Sequence, residues 1–100
     1  MLLSSFSFSV EYSHALLFEE HFKQVVIHQL KRDGGIEDLK FYKLLTELDN
    51  GANTLSLQLF FEDMEHFMEF ELNKKEPFIA DLENRFKGHY VYFHTLLEEC

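Results

Sequence analysis

Two stretches of strict two-residue alternation constrain this chain more than anything else in it. Phe6, Phe8, Val10 and Tyr12 fall on one parity, and Ser5, Ser7, Ser9 and Glu11 on the other. Further on, Leu55, Leu57, Leu59 and Phe61 alternate with Thr54, Ser56, Gln58 and Phe60. Successive strand residues point to opposite faces, so each stretch predicts a strand with one face in a core. Those apolar faces must be covered by another layer.

The intervening segments supply the cover. Leu17, Phe18, His21, Phe22, Val25, Val26 and Leu30 recur at spacings of three and four, the signature of an amphipathic helix. Ser13 stands where an N-cap hydroxyl is wanted. Lys31 and Arg32 suit the helix end, and Gly34-Gly35 stop it. A second strand is expected over 37–48, apolar on both parities, followed by a turn at Asp49-Asn50-Gly51-Ala52-Asn53. Asp63 is the expected cap of a second helix with its stripe on Met64, Phe67, Met68, Leu72, Lys75, Phe78, Ile79, Leu82 and Phe86. Pro77 lacks an amide proton, so that helix should kink or restart near Lys75. A fourth strand is expected over 89–97, with Val91 and Phe93 opposite Tyr90, Tyr92 and His94. Strand, helix, strand, strand, helix, strand predicts an α+β, ferredoxin-like βαββαβ fold: a four-stranded antiparallel sheet with two helices on one face. One hundred residues hold a single such domain, 1–100.

Two helices leave the second sheet face bare. Phe60, one apolar parity of the second strand and either parity of the fourth belong there. Ser5, Ser7, Ser9, Ser56 and Gln58 are their small or polar neighbours. An aromatic-rich open face is unusual on a soluble monomer. A second copy of the chain is the simplest cover, which predicts a homodimeric α/β barrel formed about a twofold axis. A small apolar ligand between the sheets would then meet Ser7, Tyr42, Phe60, Tyr92 and His94.

Other functions have less support. Acidic residues number 18 against 9 basic, a net charge of −9, and the only tight basic pairs are Lys31-Arg32 and Lys74-Lys75. A phosphate-tracking surface needs more, so neither nucleic acid nor an anionic membrane is an expected partner. The amino-terminal segment lacks a basic leader, and no apolar run approaches the length of a membrane span. With one cysteine, Cys100, the expected location is the cytoplasm. His14, His21 and His28 lie on one helical stripe, but successive members stand about 10 Å apart, too far to share an ion. His66, near Glu62 and Glu69, reads as a surface group. His89 and His94 have opposite strand parities. No metal or cofactor is assigned. His94 beside Tyr92 is the best acid–base candidate, and Cys100, next to Glu98 and Glu99, has no activating neighbour. The expected function is a non-catalytic binding or structural module. Its alternative is a cofactor-independent oxygenase or isomerase of the dimeric α/β-barrel type.

The stretches Lys40-Phe41-Tyr42-Lys43-Leu44-Leu45-Thr46, Leu55-Ser56-Leu57-Gln58-Leu59-Phe60-Phe61 and Tyr90-Val91-Tyr92-Phe93-His94-Thr95-Leu96-Leu97-Glu98-Glu99 carry a resemblance. The chain resembles a small, uncharacterised bacterial family, a domain of unknown function, with the same order of elements and a proline where Pro77 stands. The resemblance implies the ferredoxin-like, dimeric α/β-barrel class and no established activity. That family's first helix has two tryptophans about where Phe18 and His21 stand, then His-Ile-Pro where this chain has Val26-Ile27-His28.

Overall fold

The computed structural model describes residues 1–32, 35–46 and 52–100. The order is β1 (Leu2–Glu11), α1 (Tyr12–His21), a π-helical segment (Phe22–Val26), α2 (Ile27–Arg32), β2 (Asp38–Lys43), β3 (Ala52–Phe61), α3 (Met64–Asn73), α4 (Lys75–Phe86) and β4 (Tyr90–Glu98). The strands form one antiparallel sheet in the order β2-β3-β1-β4, so the alternating strand β1 is central. This is the expected α+β, ferredoxin-like arrangement.

All the helices cover the same face. Phe18 and Phe22 pack on Phe8, Phe22 stacks on Phe41, and Phe78 of α4 meets Phe6 and Phe8 edge-on. Phe67 and Phe70 of α3 close over Phe61. The expected parity holds: Phe6, Phe8, Val10, Leu55, Leu57, Leu59 and Phe61 are fully buried. Phe18, Phe22, Val26 and Leu30 are also buried, at three successive steps of four. An unbroken α-helix would rotate such a run off the core. The wider π turn at 22–26 takes up the excess and keeps all four on the sheet.

Several boundaries differ from the sequence reading. Tyr12 opens α1 and is exposed instead of ending β1. Glu11 occupies the cap position with no side-chain cap bond, while the Ser13 hydroxyl pairs with His14 Nδ1 at 2.8 Å. Leu17 is exposed, because Ala15 and Phe18 turn inward and leave it on the outer side. β2 stops at Lys43, and Leu44 and Leu45 are exposed beside this edge strand. Gly34 and Asp49-Asn50-Gly51 fall outside the described residues; Gly35 has the positive φ of 78° that a helix stop uses. Ala52 and Asn53 belong to β3 and not to a turn. Asp63 does cap α3, accepting from the His66 amide at 3.0 Å, and the second helix does restart at Lys75. Pro77 lies in the first turn of α4, where a missing amide costs no helical hydrogen bond.

Candidate functional site

Register decides which candidate side chains share a surface. Opposite β1, Phe6 pairs with His94 and Phe8 with Tyr92, whereas Ser7 pairs with Phe93 and Ser9 with Val91. Tyr42 pairs with Ser56, and Asp38 with Phe60. Ser7, Tyr42 and Phe60 therefore lie on the open face, while Tyr92 and His94 lie on the helix face. The five residues do not line one pocket. Two separate surfaces take their place.

The open face has a polar floor and apolar borders. Ser5, Ser7 and Ser9 run down central β1, beside Thr54, Ser56 and Gln58 of β3. Val91, Phe93 and Leu97 rise along β4 and are exposed, and Tyr42 is half exposed on the β2 side. The ammonium of Lys40 stands 5.5 Å from the centre of the Phe60 ring. The small serines leave a trough that the taller side chains flank.

The helix face is covered unevenly. Over β4, the junction of α3 and α4 leaves an open cleft of about 440 Å³ lined by Glu71, Lys75, Glu76, Ile79, Ala80 and Tyr92. Apolar Ile79 and Ala80 and the Tyr92 ring face a cluster of charges. Lys75 Nζ donates to Glu71 Oε1 at 2.9 Å, one helical turn away. The other carboxylate oxygen, Glu71 Oε2, is buried and has no hydrogen-bond partner among the described residues. A buried acceptor without a donor is costly, which sets this carboxylate apart from the solvated acids around it. It escaped the sequence reading because nothing in the local pattern separates Glu71 from its solvated neighbours.

His94 is held at one side of this region. Its ring stacks on Phe6 with centroids 4.3 Å apart, and its Nε2 shares a 2.6 Å hydrogen bond with the Ser4 hydroxyl. Burial, then the nearby Lys75 cation, lower the His94 pKa, with Glu71 acting against them. The imidazole is therefore neutral at neutral pH. Ser4 is fully buried, so it fixes the ring and has no access to a substrate. Tyr90, beside Tyr92, has its hydroxyl pKa pushed up to about 12 by burial, then by Glu83 and Tyr92.

Comparison with known proteins agrees with this fold. A family model described as a domain of unknown function, DUF4286, matches residues 1–100. No curated protein sequence matches the chain. An ethyl tert-butyl ether d family protein from Bacillus halodurans superposes with a TM-score of 0.73 at 13% identity, covering 100% of both chains. SnoaB, a cofactor-independent oxygenase from Streptomyces nogalater, gives 0.65 at 14% identity over 98% of this chain and 92% of its own. A dimeric ferredoxin-like protein from an uncultured marine organism gives 0.69 at 12% identity over 100% and 98%. At such identities the likeness is one of fold. Among the described residues no helix is long and apolar enough to cross a membrane.

Proposed function

Since the chain belongs to the DUF4286 family, whose function is unknown, its chemistry has to be argued from its own surfaces, and we propose a homodimeric binding module with one small-molecule site per protomer. The twofold interface uses the open sheet face, where Phe93 of each protomer enters the other's serine trough. The ligand site is the cleft between β4 and the α3–α4 junction. Its volume of about 440 Å³ falls in the range of small-molecule pockets. The unpartnered Glu71 Oε2 carries this reading: it is buried at rest, and rotation of the Glu71 carboxylate would turn it toward the cleft that the same side chain lines. It calls for a compact, largely apolar molecule that lays a ring or alkyl body on Tyr92 and Ile79 and donates one hydrogen bond. The dimer reading draws support from the exposure of Val91 and Phe93 and from a neighbour described as dimeric.

Phenol and anisole make a matched pair of probes, because they differ in the hydroxyl donor. In NMR titrations, phenol should shift the resonances of Ile79, Ala80 and Tyr92 saturably, and anisole should bind at least several-fold more weakly. Glu71→Gln should narrow that difference, and Ala80→Phe should abolish both responses by filling the cleft. Shifts confined to Ser7, Tyr42 and Phe60 would move the site to the space between protomers; no saturable shift would sink it.

The oxygenase or isomerase alternative would use the neutral His94 imidazole as a proton acceptor. His94 is not among the residues lining the cleft, and Ser4 and Phe6 hold its ring. Binding is therefore proposed ahead of catalysis.

A further inference from the structure

The meeting point of β1, α1 and β4 brings His89 against Glu11 and His14, which lie far from it in sequence. Glu11 ends β1, His14 lies in the first turn of α1, and His89 immediately precedes β4. One ligand-capable atom from each lies within 4.8 Å of the other two. The backbone fixes the junction, since the Glu11 amide donates to the His89 carbonyl at 2.9 Å. The two imidazoles stack with centroids 3.7 Å apart and planes 13° from parallel.

We propose that Glu11, His14 and His89 form a binding site for a divalent transition-metal ion of the zinc type. Two imidazoles and a carboxylate suit zinc, nickel or copper and suit magnesium or calcium poorly. Zinc with ligands at about 2.0–2.1 Å in tetrahedral array holds its donor atoms roughly 3.3 Å apart. The present separations of up to 4.8 Å close to that by side-chain rotation, because all three residues are at least partly exposed. Two hydrogen bonds already orient them. Ser13 Oγ engages His14 Nδ1 at 2.8 Å, which leaves His14 Nε2 for the ion. Glu11 Oε2 and His89 Nδ1 share a proton at 2.9 Å, and an ion taking that proton's place would be bound by both atoms. Three protein ligands leave one position for water or a ligand atom. The site lies at the β1–α1 end of the sheet, apart from the Glu71 cleft, and does not depend on that cleft binding anything.

Isothermal titration of the tag-free full chain with Zn²⁺ should give one site per protomer, while Mg²⁺ at the same concentrations should give no specific heat. His14→Gln and His89→Gln should each weaken zinc binding at least tenfold with unchanged far-UV circular dichroism. His66→Gln, altering a histidine paired with Asp63 elsewhere on the surface, should bind as the parent does. In histidine-detected NMR, zinc should move the ring signals of His14 and His89 and spare those of His66. Absence of zinc binding, binding matched by Mg²⁺, or binding that survives both His14→Gln and His89→Gln would overturn the proposal.

Discussion

Truncating Phe93 tests the association of two chains most directly. Phe93 stands on the open face of β4 and is 73% exposed, with Ser7 as its β1 neighbour. Burying a whole phenylalanine side chain is worth about 3 kcal/mol at the upper end. Covering the 73% that is exposed therefore contributes about 2 kcal/mol per protomer. A twofold interface contains the contact twice, so Phe93→Ala puts about 4 kcal/mol at stake. At about 1.4 kcal/mol per factor of ten, the dimer dissociation constant should rise by about a thousandfold. Leu72 is a matched control, 71% exposed but carried by α3 on the helix side of the sheet. Sedimentation velocity from nanomolar to high micromolar protein should show the parent and Leu72→Ala as dimers over a range where Phe93→Ala has dissociated. A parent that sediments as a single chain throughout would refute the reasoning. So would a Leu72→Ala defect equal to that of Phe93→Ala, which would put the interface on the helices.

Two further outcomes follow from the Ser4–His94 pair. Because the His94 pKa is lowered from 6.5 chiefly by burial, the unfolded chain binds more protons than the folded one between the lowered value and 6.5. Stability from this residue therefore rises with pH through that window and is lost on acidification. Urea midpoints at about pH 5 and about pH 7.5 should lie closer together in His94→Gln than in the parent. His66 has the opposite sign: its hydrogen bond to Asp63 raises its pKa, so its contribution is present below 6.5 and fades as pH climbs through the raised value. The comparison is cleanest in a His66→Gln background. Ser4→Ala should remove the one hydrogen-bond partner that the buried hydroxyl gives His94 Nε2 and cost about 1–3 kcal/mol. Urea unfolding would report that as a lower midpoint at unchanged slope.

The local patterns in the sequence carried the architecture because each was a physical requirement read over a few residues. The alternations at Phe6–Val10 and Leu55–Phe61 fixed which side of each strand is buried. Asp63 and Pro77 fixed where α3 begins and where α4 takes over. The site was less legible, because it depends on long-range register. β4 carries large apolar or aromatic residues on both parities, so its own sequence does not say whether Tyr92 or Phe93 faces the helices. Only the pairing of Phe8 with Tyr92 and Ser7 with Phe93 decides it. The same limit hid Glu11 and His89, which are 78 residues apart yet share a hydrogen bond. It also hid Glu71, since nothing in the spacing along α3 marks one of its carboxylate oxygens as buried.

The placement of serine explains why the two surfaces can do different work. A central strand normally needs large side chains on any face that folding must cover, since burial there supplies most of the driving force. β1 obeys this on the helix face with Phe6, Phe8 and Val10 and breaks it on the other with Ser5, Ser7 and Ser9. The open face therefore contributes little to folding of the single chain and remains a shallow, wettable trough. Phe93 and Val91 beside it lie at the sheet edge, where they cannot fill the trough of their own chain but can reach into that of another. The cleft near Glu71 arises on the opposite face for a related reason. α4 packs Phe78 over central β1 and turns Lys75, Glu76, Ile79 and Ala80 toward the cleft beside Tyr92. The sheet's central strand thus holds the core together while its edge strand, β4, bears one row of side chains on the open face, where a second chain is proposed to sit, and turns the other toward the cleft.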